Sequence, residues 1–219
     1  MSPRNPGLET HPSNRGRHTE TLAERVGRLV VSPMDVPTQI RVGDKPVSEN
    51  FNPASGPGNV MPTAGLFTTS LGRHGPLWHL HMPKATDAKP WWRVVPQSGV
   101  RVARIDRPSD LDVLCSDSPD PYTHLWGEIA EAVDAVWLTE RGYEQLRTIE
   151  DAGRKSWTSQ NYTEEQQQRY ANFEWWASGC VLWLNWCFET VELYRHERDE
   201  SLYISPFTHT IRSKRIFSR

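Results

Sequence analysis

Residues 173–188 read FEWWASGCVLWLNWCF and hold four of the chain's ten tryptophans, Trp175, Trp176, Trp183 and Trp186. No other stretch of this polar chain is so apolar. Each large ring removes much apolar area from water, so the block is expected at the centre of the core. Glu174 and Asn185 interrupt it, and it is too short to span a membrane. Read as a strand, Cys180, Leu182, Leu184, Trp186 and Phe188 form one wholly apolar face. Val181, Trp183, Asn185, Cys187 and Glu189 form the other. Read as a helix, Ser178, Asn185, Glu189 and Glu192 fall on one narrow stripe. Aromatic content tips the choice to a strand over residues 180–192.

A chain of 219 residues fits one domain with tails. Seventeen prolines and fourteen glycines call for many loops, and a formal net charge of −2 supplies no field that draws nucleic acid. Cys115, Cys180 and Cys187 are odd in number and follow no disulfide framework, which points to a reducing compartment. With no apolar leader at the start, a cytoplasmic protein away from membranes is expected. Residues 1–24 read as a disordered arm, 25–200 as a single domain and 201–219 as a basic tail.

Within the domain, residues 26–31 read as the first strand. Residues 32–64, broken by six prolines, read as a long loop. Residues 66–70, 77–81, 91–95 and 100–105 are further strand candidates, and 203–207 an edge strand. Ser109 or Asp110 caps a short helix through Leu114. Tyr122, Leu125, Trp126, Ile129, Ala130 and Val133 lie on one face of a second helix. Residues 135–138 read as a buried strand, and Thr139 caps a short helix with Tyr143 and Leu146. Residues 150–162 read as a polar loop and 164–172 as a polar helix. His79 and His81 share a side of an extended chain, but no Cys or acidic ligand stands at motif spacing, so no metal is assigned. Short strands and a few helices without regular alternation predict an α+β fold with a small split, mixed or antiparallel sheet.

The order of these elements carries a resemblance. Residues 65–70 (GLFTTS), Trp91-Trp92, residues 102–106 (VARID), Asp110-Leu111, residues 134–142 (DAVWLTERG) and residues 176–184 (WASGCVLWL) span about 120 residues. Together they resemble ADP-ribosyltransferase-like proteins of actinobacteria and their phages. The resemblance implies a sheet that grips NAD and transfer of ADP-ribose to a macromolecular acceptor through an oxocarbenium-like state. A carboxylate stabilises the developing cation there. It further implies that Thr68, Thr69 and Ser70 fix the nicotinamide ribose. Where it calls for the glutamate, this chain has Gly179-Cys180-Val181, so Glu174 or Glu189 would have to supply the carboxylate. The first strand offers Val30 and Val31, so Arg28 or Arg41 would hold the dinucleotide.

Two other readings stand beside the transferase. One is a non-catalytic protein-binding or structural module, motivated by Gly179 and the long Pro/Gly loop. The other is nucleic-acid binding through the basic tail (Arg212, Lys214, Arg215 and Arg219) with Trp91 and Trp92 as stacking rings.

Overall fold

The computed structural model describes residues 20–55, 57–58, 64–72, 75–77, 89–115, 124–155, 163, 176 and 179–194. Residues 1–19 of the expected arm, the histidines at 79 and 81, the helix at 164–172, Glu174, the strand at 203–207 and the basic tail lie outside them, whereas Leu22 to Glu24, the end of that expected disordered arm, are helical.

The first described element is helix α1, Leu22–Gly27. Residues 26–31 were expected as a strand, but Thr21 and Glu24 form a capping box that starts a helix instead. Glu24 Oε2 accepts from Thr21 N at 2.8 Å, and Glu24 N donates to Thr21 Oγ1 at 3.3 Å. Leu22 and Val26 then face the core. Strand β1 is left with only Val30–Val31.

Strand β2, Gln39–Val42, lies inside what reads as loop. The other strands are β3 (Pro57–Gly58), β4 (Leu66–Gly72), β5 (Gly75–Pro76), β6 (Trp91–Pro96), β7 (Val102–Ile105), β8 (His124–Leu125), β9 (Ala135–Leu138), β10 (Cys180–Trp183) and β11 (Phe188–Tyr194). The remaining α-helices among the described residues are α2 (Pro108–Cys115), α3 (Trp126–Ala132) and α4 (Glu140–Lys155). Helix α4 runs sixteen residues, through the start of the expected polar loop. Its outer positions are good helix formers such as Glu144, Gln145 and Arg147.

Eight strands form one path, β1-β7-β9-β10-β4-β2-β6-β11, with β5 turned back on β4 and β3 paired to β8 apart from it. The sheet is therefore mixed and continuous rather than split into halves. Among the described residues only β7 and β9 run parallel, with Val102 opposite Ala135 and Ile105 opposite Leu138. The fold is α+β.

The alternation of each strand sorts its side chains between two cores. On one face Ala103, Ile105, Val136, Leu138, Cys180 and Leu182 meet apolar residues of all four helices. On the other, Val102, Ala135, Trp137, Val181 and Trp183 meet Val94, Cys187 and Phe188. The sheet curls around this second face. Three strands separate β10 from β11, yet the Trp183 and Phe188 rings meet edge to face at 4.8 Å.

The single strand expected over residues 180–192 is present as two, Cys180–Trp183 and Phe188–Tyr194. Leu184 N and Asn185 N donate to Asp134 O at 2.8 and 3.3 Å. Asn185 Nδ2 donates to Ala130 O at 3.0 Å and to Asp134 Oδ1 at 3.3 Å. These bonds turn the chain out of β10 and send Trp186 and Phe188 to the second face, whereas Leu182 and Leu184 pack on the first.

Candidate functional site

The central strands carry an unusual group of buried polar side chains on the second face: Gln39 on β2, with Thr68 and Ser70 on β4. Register explains the grouping. Gln39 lies opposite Ser70, and Thr68 lies opposite Val181. Residues two apart on β4 share a face, so Thr68 and Ser70 point together and Thr69 points away. Thr69 sits beside Cys180 and Ile40 on the helix-covered side. The three hydroxyls expected to serve one ribose are thus divided between two faces.

The group closes on itself. Trp183 Nε1 donates to Thr68 Oγ1 at 2.8 Å, and Thr68 Oγ1 donates to Gln39 Oε1 at 2.8 Å. Gln39 Nε2 donates to Ser70 Oγ at 2.9 Å and to Pro37 O at 3.0 Å. Ser70 Oγ donates to Gly179 O at 2.7 Å. Both amide hydrogens of Gln39 and the hydrogens of both hydroxyls are therefore engaged inside the protein. A network satisfied in this way pins three strands, β2, β4 and β10, and their register. Its hydroxyls have no hydrogen left to offer a ligand.

Gly179 ends the network, and the resemblance places the catalytic carboxylate at this position. Its φ is +67°, a left-handed conformation that strains any residue with a Cβ. A Cβ built here would lie 2.6 Å from Leu77 Cδ1 and 3.0 Å from both Ser70 Cβ and Oγ. Ser70 N also donates to Gly179 O at 3.0 Å, so the two backbones run in contact. Glycine is what lets β10 enter the sheet against β4.

Of the other expected site residues that are described, Arg28 and Glu189 do not gather here. Arg28 caps the end of α1, is exposed and ion-pairs with Glu20. It precedes β1, four strands from β4 in the sheet order. Glu189 is exposed on β11, the last strand at the opposite end, beside a register shift between Phe188 and Thr190. Arg41 on β2 comes nearest. It lies on the second face and donates from Nη1 to Phe67 O at 3.2 Å. Gln39, the hub of the network, was missed because β2 is short and flanked by Pro37 and Gly43. The signal available was the alternation of Gln39, Ile40, Arg41 and Val42.

A second polar group stands where β7 and β9 end. Thr139 Oγ1 donates to Asp106 Oδ1 at 2.6 Å and accepts from Gly142 N at 3.1 Å, capping α4 as expected. Asp106 pairs with Arg104 at 2.6 Å. Asp110 Oδ2 accepts from Asp106 N and Arg107 N, both at 3.0 Å, which anchors the start of α2. Arg104 stacks 5.5 Å over the Trp137 ring, and Arg104 Nε and Trp137 Nε1 are buried donors without partners.

Cys180 and Cys187 are both buried free thiols. Burial, reinforced by the negative charge of Asp134, pushes the Cys187 thiol up to about 12. At pH 8 it is protonated and unreactive in the folded protein. Iodoacetamide at pH 8 is expected to spare Cys187 in native protein and modify it in urea, read by peptide mass. The unfolded thiol ionises near pH 8.5. This residue's contribution to stability is therefore full below about pH 8.5 and is lost progressively as pH rises towards 12.

Among the described residues no cluster of three His, Cys, Asp or Glu side chains is placed to hold a metal, and no helix is long and apolar enough to cross a membrane. No protein-family description, curated protein or solved structure matches the chain.

Proposed function

We propose that this chain is an ADP-ribosyltransferase-like domain that does not transfer ADP-ribose from NAD and works as a protein-binding module. What carries the reading is Gly179. The resemblance wants a carboxylate there, facing the hydroxyls of β4. Gly179 does stand against Ser70, but as backbone, with the space for a side chain already filled by Leu77 and Ser70. Glu189 is exposed on the edge strand β11, and Ser70 and Thr68 give their hydrogens to Gly179 and Gln39. No group described at this position offers the charge that oxocarbenium formation needs. Two buried thiols suit the reducing, cytoplasmic setting that the reading assumes.

The test is incubation of folded protein with labelled NAD and cell lysate. The expected result is no labelled acceptor and no nicotinamide release above a heat-denatured control. Turnover that disappears in Glu189→Gln or Glu174→Gln would overturn the reading and return those carboxylates to the catalytic role.

A further inference from the structure

The second face carries a different pattern where β2, β6 and β11 lie side by side. Arg41 is directly opposite Trp92, and Trp92 is directly opposite Leu193. Cross-strand partners share a face, so a cation, an indole and an aliphatic side chain stand in one row. The row crosses two strand spacings, about 10 Å. Leu193 is 48 % exposed, one of the few large apolar side chains so open among the described residues. Trp92 is half-buried, and its Nε1–H is fixed on Gly43 O at 2.8 Å, so the ring is held in place before anything binds. Lys45 Nζ stands 5.7 Å over that ring.

Arg41 is the unusual member. The guanidinium donates to the Phe67 carbonyl, and among the described residues no carboxylate lies within ion-pairing distance of it. Burial lowers its pKa below the ordinary arginine value, with Asp44 pulling the other way. A half-desolvated cation without a close counter-charge gains more from an arriving carboxylate than an exposed one does. Arginine, tryptophan and an apolar neighbour are also the side chains that concentrate binding energy at protein interfaces.

We infer that the row Arg41–Trp92–Leu193, with Lys45 beside it, is the docking surface for an extended acidic segment of a protein partner. The inference rests on the reading of the chain as a binding module. In an extended peptide, alternate residues lie about 7 Å apart on one side. An apolar residue covering Leu193 and the Trp92 edge then places a carboxylate two positions on at Arg41, with a flanking one at Lys45. Nucleic acid fits less well. Lys45 covers a stacking face of the indole, which leaves a base less room to stack there.

The experiment measures fluorescence anisotropy of a labelled random copolymer of glutamate and tyrosine against the full chain, with labelled oligo-dT in parallel. The copolymer is expected to bind saturably. Arg41→Gln should weaken it about tenfold and Leu193→Ser several-fold. Arg93→Gln should change it less than about twofold, because Arg93 points to the opposite face, where it pairs with Glu192 at 3.1 Å. Circular dichroism checks that each variant is folded, and Leu193, being half exposed, can be changed without touching the core. Absent binding, or equal binding by wild type, Arg41→Gln and Leu193→Ser, overturns the inference. So does a preference for oligo-dT, which assigns the row to nucleic acid. NAD turnover by the same preparation overturns the non-catalytic reading instead, whatever the copolymer does.

Discussion

Gly179→Glu is expected to lower stability by about 3–5 kcal/mol and to restore no NAD turnover. The backbone at Gly179 has φ +67°, and an L-residue there costs about 1–2 kcal/mol. Its Cβ would lie 2.6 Å from Leu77 Cδ1 and 3.0 Å from Ser70, so side chains or strands must shift. Overpacking of that kind costs about 1–3 kcal/mol. The carboxylate would also enter buried surroundings in which Ser70 and Gln39 already satisfy one another. Gly179→Ala separates the contributions, since it keeps the backbone and Cβ costs and omits the charge. Urea denaturation followed by tryptophan fluorescence reads both variants. A Gly179→Glu protein as stable as wild type that cleaves NAD would sink this account. The catalytic position would then be one side chain from activity, with the network of Thr68, Gln39 and Ser70 opening to receive it.

That Gly179 stands where a carboxylate is wanted is visible in the order of residues. Why glycine stands there is not, because the cause is an approach of Leu77 and Ser70 from distant parts of the chain. The same division runs through the fold. Strand β9 is legible because its apolar run is wholly buried, and β6 and β7 because their β-branched and aromatic runs are bounded by turns. Strand β2 is not, since four residues between Pro37 and Gly43 have too little pattern of their own. Its place comes from hydrogen bonds to β4 and β6. Helix α1 had its signal in Thr21 and Glu24, outweighed by the β-branched residues at 26, 30 and 31. The aromatic block is legible as extended chain and as core. Its division at Asn185 is imposed by Asp134 and Ala130, some fifty residues earlier. For the site, the hydroxyls of β4 are legible as a group. Their assignment to two faces and their consumption by Gln39 depend on register, which sequence order does not fix.

Trp183→Ala tests whether that consumption holds the sheet together, and it should cost about 3–5 kcal/mol, as for other large aromatic truncations in a core. Trp183 is fully buried on β10, between Leu66 on β4 and Ala135 on β9, with Phe188 against its face. Two different losses add up in this variant. One is ring volume at the point where the sheet curls onto itself. The other is the indole N–H that completes the chain from Trp183 through Thr68 and Gln39 to Ser70. Trp183→Phe keeps most of the ring and removes the donor, so it should cost less, about 1–2 kcal/mol. Paired with Thr68→Val in a double-mutant cycle, it isolates the hydrogen bond, for which a coupling of about 1 kcal/mol is expected. A coupling near zero would mean that Thr68 reaches another partner when Trp183 is changed. Its hydroxyl would then be available for a ligand, and the closed network would no longer argue against a nucleotide site on β4. A clear coupling means that Thr68 is committed to the indole and to Gln39, and that the polar centre of the sheet serves register rather than catalysis.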